Sequence, residues 1–355
     1  MKILILNRRD LKHPEGGGAE VYTQEIAKGL TERGAEVSIF CSSFAGALPD
    51  EYIDGIRHLR KGSEFTVHFH GFLYALRHRQ SFDLIIDEFN GLGFFSFLLP
   101  RSMILIHQLY RGFWFRELGP LGVLPYVIEP FLLWCYRKKP AVTVSNSTRM
   151  DLERIGFSNI HVVMNALSIP PLQHLPEKEK YPTLLFLGRL KSTKKPEDAL
   201  AIFSKVKAEM PEARLWIIGR GPEEKNLKKL AADLPDVTFY GWLQEDEKFD
   251  LLRRAHILLV PGVREGFGIN VIEAASQGTP AIGYNVHGLR DSIRNGLTGI
   301  LATDPDDASA QTLKLLRNPT RYRTMSEQCF TYAKDFNWLK RGEEFWEVIR
   351  HYKTK

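Results

Sequence analysis

The chain has 355 residues, 44 % of them hydrophobic and 25 % charged, and its 48 Lys and Arg against 42 Asp and Glu give a formal net charge of +6. That length predicts two domains, and the composition is that of a soluble globular protein. It excludes disordered, collagen-like and membrane-spanning classes, since no run of about 18 apolar residues occurs. The basic excess suits a phosphorylated substrate or an anionic membrane surface, or needs no partner at all. Nucleic acid is the weakest reading, because no binding module is present and the lysines are not interleaved with stacking aromatics.

Met1–Asn7, MKILILN, predicts a first buried strand, too short for the apolar region of a signal peptide and followed by no cleavage site. A loop, RRDLKHPEGGG, leads into a helix over about Ala19 to Arg33, with Val21, Ile26 and Leu30 on one stripe. Gly16-Gly17-Gly18 opens that helix without the spaced third glycine of a dinucleotide fingerprint. It reads either as a phosphate or oxyanion seat at a helix start or as a plain tight turn. The strand EVSIFCS from Glu36 completes a β-α-β opening and argues for a parallel sheet. Residues 45–80 give no clear element. His68-x-His70 would share one face of a strand, but no third ligand lies near, so a metal reading is weak.

Strands over DLIIDE (83–88) and SMILIH (102–107) follow, the second ending in His107. A histidine at the carboxyl end of a buried strand is either a ligand-facing group or a satisfied core residue. Cys41, Cys135 and Cys329 are odd in number and scattered, forming neither a disulfide framework nor a zinc knuckle, which fits a reducing, cytoplasmic compartment.

The stretch 110–139 is aromatic and apolar, bounded by Arg111, Arg116 and Arg137-Lys138-Lys139. Pro120, Pro125, Pro130, Glu117 and Glu129 argue against a spanning helix. Two readings stand: an ordinary core helix with its loop, or a surface that makes peripheral contact with an anionic membrane at the inner face of the cell. AVTVSNS (141–147) predicts a strand, Thr148–Ile155 a short helix, and HVVMNA (161–166) a last strand. The link LSIPPLQHLPEKEKYP (167–182) carries four prolines and a charge cluster and marks the domain boundary.

Strand–helix alternation then restarts with TLLFLGRL (183–190) and runs through RLWIIGRGP, VTFYGWL, HILLVPGV and TPAIGYN. The predicted class is α/β, two Rossmann-like domains facing across a cleft. Residues 1–168 form the first and 169–337 the second. A last helix over about 338–355 carries a stripe of Phe345, Trp346, Ile349 and Tyr352.

Three places could carry chemistry. In PGVREGFGINVIEA (261–274), Glu265 and Glu273 stand where a buried strand turns into a helix, with Gly266 and Gly268 letting backbone approach a ligand. Only Arg264 is a basic neighbour within the motif, which favours hydroxyl recognition over ion pairing; a solvated glutamate near a helix start is the bland alternative. Second, Arg189 and Lys194 in GRLKSTKKP follow a strand, where they suit a diphosphate whose charge grows as a bond to it breaks, or form a solvated basic loop. Third, Asp304-Pro305-Asp306-Asp307 resembles an acidic metal motif but opens a helix, where aspartates cap. No metal site and no activated serine or cysteine nucleophile is predicted.

The ordered series GGGAE (16–20), IHQ ending at Gln108, VMNA (163–166), GRLKSTKK (188–195), GRGP (219–222), FYGWL (239–243), EGFGINVIE (265–273) and HGLRDSI (287–293) resembles the retaining glycosyltransferases of family four, group 1, which have the GT-B fold. The resemblance covers nearly the whole chain. It implies that Glu273 holds the ribose hydroxyls of a UDP- or GDP-linked sugar and that Glu265 contacts the transferred sugar. Amides of Gly266, Phe267, Gly268 and Ile269 would meet donor hydroxyls and phosphate, and Arg189 and Lys194 the leaving diphosphate. Gly17 and Gly18 would bring amides to the diphosphate or acceptor, His107 would contact the donor sugar, and the base would lie near Arg220 and Leu243. Asn165 belongs to the donor-binding set. The fold implies that the final helix crosses back to the first domain.

Lys195 stands where the family often has glycine, Asn165-Ala166-Leu167-Ser168 replaces a common Asn-Gly-Val-Asp, and Gly262-Val263 replaces the usual Ser or Thr before the glutamates. The implied function is retaining, metal-independent transfer of a sugar from a nucleotide sugar to a glycan or lipid-linked glycan, with no cofactor. Its rivals are an epimerase or phosphorylase on the same fold, and a non-catalytic nucleotide-sugar-binding protein.

Overall fold

The computed structural model describes residues 1–167, 169, 172 and 174–353. Ser168, Pro170, Pro171 and Gln173 of the link lie outside the described residues. The chain divides into two compact units, Met1–Ala166 with Trp338–Lys355, and Leu167–Asn337.

The first unit is built on strands β1 (Lys2–Leu6), β2 (Glu36–Cys41), β3 (Asp50–Ile53), β4 (Ile56–Arg60), β5 (Leu84–Glu88), β6 (Ser102–Ile106), β7 (Ala141–Thr143) and β8 (Ile160–Val162). They hydrogen-bond in the order β3-β4-β2-β1-β5-β6-β7-β8, parallel throughout except for β3 against β4. Buried on both faces, β1 runs through Ile3-Leu4-Ile5-Leu6 and β5 opens on Leu84-Ile85-Ile86, the apolar runs of parallel strands, before ending in the buried Asp87 and Glu88. The helices of this unit are α1 (Gly18–Glu32), α2 (Val67–Arg77), α3 (Phe113–Leu118), α4 (Val123–Tyr136) and α5 (Asn146–Ile155).

The segment 45–80, opaque in sequence, is a hairpin followed by a helix. Asp54 and Gly55 join β3 to β4 with φ of 51° and 78°, the two-residue turn that an Asp-Gly pair favours. On α2 the two histidines diverge: His68 is buried against Phe94 at 4.7 Å, and His70 bonds back to the Thr66 carbonyl. A shared strand face is therefore replaced by two helix faces.

The second unit carries β9 (Thr183–Leu187), β10 (Arg214–Ile218), β11 (Val237–Gly241), β12 (Ile257–Val260), β13 (Ala281–Tyr284) and β14 (Gly299–Ala302). Its sheet is parallel in the order β11-β10-β9-β12-β13-β14. Helices α6 (Pro196–Glu209), α7 (Glu224–Leu230), α8 (Glu245–Arg254), α9 (Ile269–Ser276), α10 (Leu289–Ser292), α11 (Pro305–Leu316) and α12 (Pro319–Ala333) complete it. One core joins Leu184, Phe186, Phe203, Leu215, Ile217 and Leu259 across sheet and helices. The order reverses direction beside β9 and β12, the switch point at which open α/β sheets bind ligands beyond their strands' carboxyl ends.

Helix α13 (Trp338–Lys353) belongs to the first unit, where it packs on α1. A Cβ on Gly29 would stand 2.9 Å from the Gly342 Cα, so the two backbones cross where neither carries a side chain. Phe345 and Ile349 are buried, and Arg33 donates to the carbonyls of Gly29 and Leu339.

Candidate active site

In the second unit two loops meet at the carboxyl ends of β9 and β12. The basic loop leaves β9 through Gly188, and its Lys195, at φ 47°, caps α6 just before Pro196. The glutamate loop leaves β12 and ends at Gly268, whose φ of 87° turns the chain into α9. Backbone and side chain lock them together. The Val263 amide donates to the Thr193 carbonyl at 3.1 Å, and Lys194 Nζ donates to Glu265 Oε1. Asn270 Nδ2 donates to the Leu187 carbonyl at 2.9 Å, tying the start of α9 to the end of β9.

Both motif glutamates are ion-paired, contrary to the expectation from the motif alone. Glu265, 9 % exposed, holds Lys194; Glu273 accepts from Lys248 of α8 at 2.8 Å. The cations come from 71 and 25 residues away, so no local spacing announces them. Each lysine engages one oxygen of its carboxylate, Oε1 in both glutamates.

Glycine holds this geometry at two points. Gly288 has φ 81°, and a Cβ there would lie 2.2 Å from the Glu265 carbonyl oxygen. The Glu265 amide itself donates to the His287 carbonyl at 3.0 Å. At Gly219, φ 136°, a Cβ would stand 1.9 Å from the Gly188 carbonyl oxygen, where the turns after β9 and β10 touch. Arg220 follows that turn and is exposed; its carbonyl accepts from the Leu190 amide at 2.9 Å. Arg189 is also exposed, Leu243 half-buried just past β11, and Phe267 buried with its ring 5.9 Å from that of Phe336. Phe267 therefore offers a ligand only its backbone. Thr193 is 2 % exposed, and among the described residues its hydroxyl has no hydrogen-bond partner, which adds a polar group to the basic loop that sequence did not single out.

In the first unit His107 follows β6, and its Nε2 lies 3.1 Å from Oε1 of Glu88, the last residue of β5. Glu88 is fully buried and also accepts from Thr23 Oγ1 at 2.5 Å and from Asn90 Nδ2 at 3.3 Å. The Tyr22 ring meets His107 edge-on at 5.1 Å. Glu20 reaches back to accept from the Gly17 amide at 2.7 Å, so Gly17 donates within the protein rather than presenting its amide. Burial first, then the nearby Glu88 charge, raises the Glu20 carboxyl above its ordinary range. Gly18 is the first residue of α1, and Asn165 is buried, its Oδ1 without a partner among the described residues. Glu88 was not marked by sequence: it reads there as the end of a buried strand.

Two acidic groupings have partners within the protein. Asp304 caps α11, accepting from the Asp306 and Asp307 amides at 2.9 Å each. Asp10, Cys41 and His58 cluster within 4.8 Å, but Arg60 Nε donates to Asp10 at 2.6 Å and supplies the positive charge there. Burial alone would raise the Asp10 carboxyl; its His58 bond and the Arg60 charge outweigh that and bring it down to about 2.

A model of the group 1 glycosyl transferases matches residues 172–334, and a model of glycosyltransferase family 4 matches residues 16–169. The chain belongs to the family 4, group 1 glycosyltransferases. The D-inositol 3-phosphate glycosyltransferase of Thermobispora bispora is 25 % identical, over 94 % of this chain and 90 % of that protein. Among solved structures, the sucrose-phosphate synthase of Thermosynechococcus elongatus is similar with a TM-score of 0.82 at 18 % identity, covering 99 % of each chain. WaaG, a glycosyltransferase involved in lipopolysaccharide biosynthesis, reaches 0.76 at 15 % identity, covering 98 % of this chain and 99 % of its own. Both likenesses are of fold, and the fold of this glycosyltransferase is GT-B.

Proposed function

We propose that this glycosyltransferase moves a hexose from a UDP- or GDP-linked sugar to a hydroxyl of a glycan or lipid-linked glycan, with retention of anomeric configuration. The observation that carries the reading is the joined pair of loops in the second unit. Lys194 of the loop after β9 pairs there with Glu265 of the loop after β12, Arg189 lies on the first of these loops, and Glu273, paired with Lys248, lies on the helix that the second loop enters. Carboxylates already paired with lysines are rigid acceptors for ribose and sugar hydroxyls. The cations beside them oppose the charge that grows on a departing diphosphate, a contribution of order 3 kcal/mol per well-placed donor.

In the proposed step the bond from the anomeric carbon to the diphosphate oxygen breaks. The acceptor oxygen forms its bond on the same face, and the acceptor proton passes to the leaving diphosphate. Arg189 and Lys194 take the role that a divalent cation plays in metal-dependent transferases, so EDTA is expected to leave the rate unchanged. His107 and Asn165 are the proposed sugar-recognising side chains of the first unit, with Glu88 orienting His107. A peripheral contact with an anionic membrane through 110–139 accompanies the lipid-linked acceptor.

The test is transfer from a UDP- or GDP-hexose to a soluble glycan acceptor, with the product's anomeric configuration read by proton NMR. Retention, with at least about 100-fold loss in Glu273→Ala and Arg189→Ala, is expected. Inversion, or undiminished transfer in both variants, overturns the reading.

A further inference from the structure

We propose that the outward face of α4 is a docking surface for an anionic lipid bilayer. The helix is inside out by the rule for soluble proteins. Leu124, Val127, Ile128 and Phe131 recur at the i, i+3, i+4, i+7 spacing that ordinarily marks a core-facing stripe, yet all four are exposed, three of them by 65 %, 64 % and 62 %. Every exposed position from Leu121 to Trp134 is apolar or aromatic. The one charged residue in that span, Glu129, is buried instead. Its carboxylate accepts from the Tyr110 amide at 2.7 Å, the Arg111 amide at 2.9 Å and Trp114 Nε1 at 3.2 Å. An apolar stripe of this kind marks an interaction surface.

The charges around the stripe choose its occupant. Residues 110–139 hold five bases, Arg111, Arg116, Arg137, Lys138 and Lys139, against Glu117 and Glu129. Arg116 and Lys138 are exposed. The Arg137 guanidinium lies 3.6 Å over the Trp134 ring at the end of the stripe. Indole beside guanidinium is the pairing that settles at a headgroup boundary, with apolar side chains below it and bases among anionic phosphates. A second copy of the chain would bring the same positive rim against itself. Among the described residues no helix is long and apolar enough to cross a membrane, so the contact is with the surface.

Glu129 gives the surface a purpose. It ties α4 to the loop of Tyr110 and Arg111, which begins three residues after His107. The inference rests on the lipid-linked acceptor for that purpose, and its measurement does not depend on transfer.

The experiment is co-sedimentation of the full chain with vesicles of phosphatidylcholine alone and of phosphatidylcholine with 30 % phosphatidylglycerol. Phe131→Glu and Val127→Glu serve as stripe variants and Lys138→Gln as the rim variant. Melting and sedimentation velocity of each protein run alongside. Binding to the anionic vesicles is expected to fall about tenfold or more in each stripe variant and about fivefold in Lys138→Gln and at high salt, with melting unchanged. Failure of the wild type to bind anionic vesicles overturns the proposal. So does binding undiminished in both stripe variants, or a concentration-dependent dimer that Phe131→Glu disperses without any vesicle binding. Transfer to a soluble glycan in the same preparations separates the two readings: docking can fail while transfer persists, and the reverse.

Discussion

Lys194 donates to Glu265 across 71 residues, joining the loop after β9 to the loop after β12. With side-chain exposures of 29 % and 11 %, the pair is partly screened, but removal of one member strands the other. Lys194→Met is expected to cost about 1–3 kcal/mol of stability and, under the proposed function, about 100-fold in transfer. Glu265→Gln should lose a similar factor, and the double variant clearly less than the product of the two. Multiplicative losses would mean that the residues act separately.

Gly288 and Gly296 share a φ of 81° but not their surroundings. A Cβ at Gly288 meets the Glu265 backbone, whereas one at Gly296 meets nothing within 4 Å. Gly296→Ala should therefore cost only the backbone strain, about 1 kcal/mol. Gly288→Ala should cost at least about twice that and weaken nucleotide-sugar affinity as well. Differential melting and titration calorimetry check both; equal effects would remove the steric account of the Glu265 loop.

Glu88 tests whether His107 needs orienting. Glu88→Gln keeps an acceptor for Thr23 but withdraws the carboxylate from His107 Nε2. The expected outcome is a fall of about 10-fold or more in kcat, with the affinity for the nucleotide sugar, measured separately, unchanged. A purely structural role would instead lower melting temperature and leave kcat per folded molecule intact.

His256 and His68 set an acid limit on stability. Burial first, then Lys178 near His256 and Arg8 near His68, lowers each imidazole to about 4. His256 Nδ1 also accepts from the Thr183 amide at 3.1 Å, which requires the unprotonated nitrogen. Between pH 6.5 and 4 the unfolded chain binds protons that the folded chain does not, so stability falls as pH drops through that window. Each histidine contributes up to about 3 kcal/mol. His256→Asn, which keeps an acceptor, should flatten part of this slope in pH-dependent melting; an unchanged slope would contradict it.

Sequence made the α/β alternation, the glycine turns and the Asp304 cap legible, because each is written in neighbouring residues. The glutamates were visible but their partners were not: Lys248 reads as one more solvated charge on α8, and only the fold brings it to Glu273. Glu88 was hidden for the same reason. The β3–β4 hairpin did carry a local mark in Asp54-Gly55, obscured by a polar edge strand that lacks an apolar alternation. The segment 110–139 kept two readings open because burial, not composition, separates a core stripe from an exposed one.

The most direct test of the account is a melting-temperature screen of UDP, GDP and their hexoses on the wild type, Arg189→Ala and Glu273→Ala. A true donor at a hundredfold excess over its Kd is expected to raise the wild-type melting temperature by about 5 °C or more. That rise should largely vanish in both variants when each is compared with its own unliganded melting temperature, which Glu273→Ala lowers by removing a partner of Lys248. No rise with any UDP- or GDP-linked compound, or an equal rise in all three proteins, would contradict the claim that these loops hold a nucleotide sugar.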